Sequence, residues 1–192
     1  QNGPGGASAS PIDLRGGLDA RRSAEPVDAA ERRQLESLLE ELRQAVDRSQ
    51  ALKPFKDQLL LDITPDGLRL QIVDSQNRPM FDLGSSRLKD YTSAILREVG
   101  RYLNTVPNRV SISGHTDTTP YSDNAGADYG NWEISTDRAT ATRRKLIEHG
   151  VGPDQIRKVA GYADTVPMPD TEPSDESNRR VTVMLRVGKE KH

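Results

Sequence analysis

Gly114-His115-Thr116-Asp117, and the run from Asn131 to Ala139, carry the residues best placed to do chemistry. Val110-Ser111-Ile112-Ser113 alternates apolar and polar, the period of a half-buried strand. Gly114 ends that run, where backbone must turn or pass closely, and Asp117 falls at the strand's carboxyl end. Ser135 reads as a helix N-cap, with Asp137 and Arg138 in the first turn. This predicts a helix over Thr136–His149, with Gly150 as its C-cap. If strand and helix form one βαβ unit, Asp117 and Arg138 meet at the edge where open α/β sheets bind ligands. A helix N-terminus there also favours anions. An acid and a base so placed suit a zwitterion, with an ammonium for Asp117 and a carboxylate for Arg138. An isolated Asp after a strand would ordinarily do no more than cap a turn.

Neighbouring residues widen or narrow this site. The Asn131 amide both donates and accepts, so it can reach a ligand or close onto loop backbone. The Thr116 side chain points away from that of Asp117 if the strand stays regular, leaving its backbone to face a ligand. His115 and Asp117 suggest a metal pair, but a structural metal site needs about four ligands. The only other histidines are His149 and His192. No metal and no cofactor are expected. A catalytic His–Asp pair also lacks a nucleophile in a defined setting, so no enzymatic activity is expected. Trp132 reads as a core anchor.

The elements that must position these groups can be read along the chain. Residues 1–26 are rich in Gly, Ala, Ser, Pro and charge, and read as a flexible linker. Residues 27–53 form an amphipathic helix with a stripe of Leu35, Leu38, Leu39, Leu42 and Val46, ended by Pro54. That stripe either docks on its own domain or pairs with a second copy in a homodimer. Residues 54–192 form the main domain. Runs around Leu59–Ile63 and Leu68–Val73 flank Thr64-Pro65-Asp66-Gly67, which reads as a β-hairpin. A helix is expected from about Leu88 to Asn104, with Tyr91, Ile95, Val99 and Tyr102 or Leu103 on one face. A short strand is expected over Ile156–Gly161, then a Pro-rich acidic loop, then a last strand from Val181 to Val187. The order β-hairpin, α, β, α, β, loop, β predicts an α+β fold, a mixed sheet with helices on one face and a βαβ core.

Composition excludes several roles. The 27 basic and 29 acidic residues of the 192 leave a net charge of −2 and no case for nucleic acid. There is no Cys, hence no disulfide and no thiol chemistry. The longest strongly apolar run, Leu59-Leu60-Leu61, is far short of the ~20 residues of a membrane helix. The chain opens at Gln1 rather than Met, which suggests an excised or processed fragment.

Gly114 to Asp117, Asn131 to Ala139, Gly161-Tyr162 and Asn178-Arg179-Arg180-Val181 occur in the order and spacing of the OmpA-like peptidoglycan-binding family, which this chain resembles. Ser75 to Phe81, Val106 to Arg109, Pro120-Tyr121 and Asn131-Trp132-Glu133 resemble the flagellar stator-anchor branch, the MotB type. The chain departs from other members after Asp117. Thr118-Thr119-Pro120-Tyr121 stands where they usually carry an early glycine, and the loop to Gly130 is longer. The resemblance implies a non-catalytic wall anchor for cell motility that binds the peptidoglycan stem peptide through meso-diaminopimelate. It places the ammonium on Asp117 and the neighbouring carboxylate on Arg138. It also puts Arg179 near the ligand, unless Arg179 merely pairs with Asp175 or Glu176, and leaves Arg180 structural. It further implies a homodimer and a periplasmic domain of a single-pass inner-membrane protein. That protein would meet a MotA-type stator subunit through a membrane helix absent from this chain. The alternatives are a wall anchor of an outer-membrane lipoprotein or secretion system, and a peptidoglycan-processing enzyme.

Overall fold

The computed structural model describes residues 29–120 and 128–186. The expected linker over residues 1–26, part of the loop after Asp117 and the end of the last strand at Val187 lie outside these residues. The hairpin forms as expected. β1 (Leu59–Thr64) pairs antiparallel with β2 (Gly67–Val73), Leu59 opposite Ile72 and Thr64 opposite Gly67. After α2 (Asp90–Leu103) come β3 (Arg109–His115), α3 (Asn131–Glu148), β4 (Ile156–Gly161) and β5 (Arg180–Arg186). The sheet order is β1-β2-β5-β3-β4. β3 and β4 are parallel and flank α3 in sequence, giving the βαβ core. β5 lies antiparallel between β2 and β3.

Alternation along each strand divides the sheet into two faces. Leu68, Leu70, Ile72, Val110, Ile112 and Val183 point to one side and are at most 1% exposed. They share a single core with Ile95, Val99 and Leu103 of α2 and Ala139 and Leu146 of α3. Their strand neighbours Arg69, Gln71, Ser111, Ser113 and Met184 take the opposite side. The fold is therefore α+β, with its helices packed against one face.

α1 (Ala29–Arg48) belongs to that same layer. Leu35, Leu38, Leu42 and Val46 are buried in the core, and the Tyr102 hydroxyl of α2 donates to the Leu38 carbonyl at 3.0 Å. Burying a leucine is worth roughly 1.5–3 kcal/mol, so this stripe contributes substantially to the domain. The stripe thus docks in cis, and it cannot at the same time provide the homodimer contact for which it was considered. The helix also ends at Arg48, before Pro54. That proline instead starts a short 3-10 helix, Lys53–Gln58, where its missing N–H costs nothing.

Two glycines set how closely α3 approaches the strand ends. A Cβ on Gly114 would run into the Ser135 carbonyl oxygen, and one on Gly161 would lie 2.6 Å from Ser135 Oγ and closer still to Thr136. The close approach is why β3 carries a glycine one residue before its end and β4 ends in one. We expect Gly161→Ala to destabilise the domain by about 1–3 kcal/mol through overpacking. Urea unfolding should show this as a lower midpoint with an unchanged slope. An unchanged midpoint would mean that α3 stands further from β4.

Candidate functional site

α3 starts earlier than Ser135 suggests. Its first residue is Asn131. Glu133 accepts the Gly130 N–H at 2.8 Å, and Gly130 in turn accepts from the Ile134 N–H at 3.0 Å. Ser135 is fully buried inside the helix, where its hydroxyl donates to the Trp132 carbonyl and accepts the Ala163 N–H, each at 3.0 Å. Ser135 is therefore a rivet between α3 and the turn after β4, not a cap. Arg138 accordingly lies two turns into α3 and gains nothing directly from the helix N-terminus, since that effect fades within the first turn. Asn131 takes the N-terminal place instead.

Asp117, Thr116, Asn131, Arg138 and Arg179 nevertheless line one open cleft of about 740 Å³. Its floor is acidic. Asp117, just past the carboxyl end of β3, is only 3% exposed. One carboxylate oxygen accepts the Thr119 N–H at 3.0 Å, and the other meets Arg179 Nη1 at 2.6 Å. Arg179 Nε reaches Asp74 Oδ2 at 3.0 Å, and its Nη2 lies 3.9 Å from Glu176. Arg179 thus bridges two buried carboxylates, with Glu176 a distant third. Asp175 does not join them; its carboxylate accepts the Ser177 N–H at 2.8 Å. Burial pushes the Asp74 carboxyl above its ordinary range, opposed by the Met80 N–H and by Arg179. Burial also pulls the Arg179 guanidinium down, but Asp74 and Asp117 outweigh it and raise the pKa.

The wall opposite is basic and partly apolar. The Arg138 guanidinium lies 4.7 Å above the centre of the Phe81 ring, and its Nε donates to the Ser85 carbonyl at 2.9 Å. Ring and carbonyl hold the guanidinium in place, so less entropy is lost when it binds an anion. Leu83, on the same loop, lines the cleft fully exposed. Asn131 Nδ2 lies 3.4 Å from the carbonyls of both Asp117 and Thr119, so it ties the helix start to the loop at the cleft's edge.

Thr116 follows the end of β3. Its N–H is taken by the Ala163 carbonyl at 2.8 Å, and the residue contributes to the cleft lining. The Thr116 hydroxyl is buried and has no hydrogen-bond partner. Such a group ordinarily costs free energy unless something completes it.

Asn178-Arg179-Arg180 divides its work by strand alternation. Asn178 is 1% exposed and staples the preceding acidic loop: it accepts the Met168 N–H at 2.7 Å and donates to the Glu172 carbonyl at 2.9 Å. Arg179 enters the cleft. Arg180 stays on the far face, bound to Gln71 Oε1 at 2.9 Å and the Val166 carbonyl at 2.8 Å, and is structural. His115 also lies outside the cleft lining. Its ring stacks on Tyr162 at 5.3 Å, and burial, with a smaller push from Arg180, lowers its pKa to about 3. It is therefore neutral at physiological pH, and among the described residues no group of three metal-ligating side chains forms around it. Trp132 is 55% exposed and anchors no core. Asp74, Phe81 and Leu83 are cleft residues that sequence reasoning missed.

Residues 80–181, which run from the cleft wall through α2, β3, α3 and β4 into β5, match the model of the OmpA family. The chain belongs to the OmpA family. It is 41% identical over 155 residues to Motility protein B of Escherichia coli K12, a match covering 81% of this chain and 50% of that protein. The chain thus spans about half the length of this relative. Among solved structures, a MotB-like protein from Desulfovibrio vulgaris superposes with a TM-score of 0.60 at 21% identity, covering 83% of this chain and 99% of that one. The cell wall anchor of the type VI secretion system of Pseudomonas aeruginosa gives 0.56 at 20% identity, covering 80% and 97%. These two share the fold with this OmpA-family chain. No helix among its described residues is long and apolar enough to cross a membrane.

Proposed function

We propose that this OmpA-family chain is the wall-binding part of a flagellar stator anchor, and that it holds peptidoglycan without catalysis. The ligand is the meso-diaminopimelate residue of the stem peptide. Asp117 receives its ammonium, and Arg138 receives the adjoining carboxylate with a planar fork that lysine would not reproduce. Arg179 pairs with Asp117 at 2.6 Å beside the ammonium position. Asn131 bounds the site at the helix start, and Thr116 contributes to its lining. The observation that carries this reading is a single cleft with a carboxylate pair on its floor and a ring-braced guanidinium on its wall. The likeness to Motility protein B supports the flagellar assignment.

The rest of the anchor follows from the same proposal. The domain is periplasmic and hangs from a single inner-membrane helix upstream, through which it meets a MotA-type subunit. Two chains act as a pair, and since the α1 stripe is already covered in cis, they join through another surface. A stator resists reaction torque, so a tether to a covalent wall network suits its task. Co-sedimentation with purified sacculi tests the wall-binding reading, with retention expected on walls of the diaminopimelate type.

A further inference from the structure

Arg179 poses a difficulty for an ammonium site at Asp117. Taken alone, a guanidinium 2.6 Å from the Asp117 carboxylate cancels its charge, and an ammonium arriving there would meet a neutral pair. The structure supplies a second carboxylate. Asp74, at the end of β2, takes the Nε side of the same guanidinium at 3.0 Å, while Asp117 takes Nη1. The group Asp74–Arg179–Asp117 therefore carries one net negative charge, to which the more exposed Glu176, 3.9 Å from Nη2, adds from the rim. Asp74 cannot drift from this arrangement. Its second oxygen accepts the Met80 N–H at 2.9 Å, its own N–H donates to the Arg179 carbonyl at 3.0 Å, and it is 5% exposed.

We propose that Asp74 is a positioning residue that sets specificity. It draws Arg179 into a shared grip, so that the Asp117 end of the cleft stays net negative and selects a ligand bearing an ammonium beside its carboxylate. This rests on the proposed placement of the ammonium at Asp117. Neither Asp74 nor its loop needs to touch the ligand, because the effect is one of charge held nearby in a poorly solvated site.

The test compares two soluble peptides by calorimetry. One is N-acetyl-Ala-γ-Glu-diaminopimelate. The other carries 2-aminopimelate in the third position, which keeps the distal carboxylate and lacks the ammonium. Wild type should prefer the first by at least about tenfold. Asp74→Asn, which retains an acceptor for Met80, leaves the group neutral and should compress that preference to about twofold or less. The double variant Asp74→Asn/Arg179→Gln returns the group to one negative charge and should regain at least half of the lost preference on a logarithmic scale. A purely structural role for Asp74 would weaken both peptides alike and would not be rescued. If Asp74→Asn does not fold, Arg179→Gln alone decides, and its preference should equal or exceed that of wild type. Retention of the full preference in folded Asp74→Asn, failure of the double variant to regain it, or a fall in Arg179→Gln would overturn the inference. Failure of wild type to bind the first peptide at all would instead overturn the placement of the ligand.

Discussion

Asp117→Asn is expected to abolish retention on diaminopimelate-type sacculi and to lower the melting temperature of the domain. The binding loss follows from charge. A hydrogen bond to a charged group contributes roughly 1.5–3 kcal/mol, about ten- to a hundredfold in affinity. The substitution also removes one negative charge from the floor, leaving Arg179 paired with Asp74 and, at 3.9 Å, with Glu176. The stability loss follows from burial. Asp117 is 3% exposed and in contact with Arg179 at 2.6 Å, so Asn breaks a buried ion pair. Such a break can cost about 3–5 kcal/mol. Here the Arg179 side chain is 35% exposed and keeps Asp74, so about 1–2 kcal/mol is the more reasonable figure. For a chain of this size that corresponds to a drop of roughly 2–8 °C. Calorimetric melting and sacculus pelleting on the same preparation check both halves. Full retention on sacculi would remove Asp117 from the binding site, and an unchanged melting temperature would mean that the pair is worth nothing to the fold.

Arg138→Ala should have the opposite balance, with a large binding loss and a small effect on stability. The guanidinium is half-buried on the cleft wall, and its bond to Ser85 and its stacking on Phe81 are among the contacts it would lose. A cation–π contact of this kind is worth about 0.5–1 kcal/mol. The ligand's carboxylate would lose its fork and lie desolvated against the Phe81 ring, which should cost at least about tenfold in affinity. Arg138→Lys should recover little of it, because an ammonium cannot offer the bidentate geometry. Pelleting assays with both variants measure this. A folded Arg138→Ala protein that binds like wild type would show that the carboxylate is received elsewhere.

The βαβ core was legible because its signals are local. The period of Val110 to Ser113, the Gly114 and Gly161 ends and the alternation of Val181 to Leu185 each report a backbone requirement within a few residues. Even so, α3 was entered at the wrong residue. Ser135 has the chemistry of a cap, and only the position of Ala163, brought back by β4, shows that its hydroxyl is employed elsewhere. Arg138 still reached the cleft, because its place depends on which face of α3 it occupies and not on where that helix starts. The α1 stripe announced that something covers it, but periodicity carries no information about the covering surface. Asp74 was illegible for a similar reason. It ends an apolar run with no motif around it, and its meaning comes from Arg179, distant in sequence and adjacent in space only because β5 inserts beside β2. The burial of Asp117 was hidden in the same way, since the loop bonded to Thr118 through the Pro173 carbonyl lies far along the chain.

The central claim is that this cleft reads diaminopimelate through a paired charge clamp. The most direct measurement is co-sedimentation of the wild-type protein with two purified walls, one of the diaminopimelate type and one of the lysine type. Lysine-type wall presents the ammonium but lacks the adjoining carboxylate, so only one half of the clamp is engaged. The account predicts strong retention on the first and at least about tenfold weaker retention on the second, in line with the loss of a charge-assisted contact. Equal retention on both walls, or retention on neither, would contradict it.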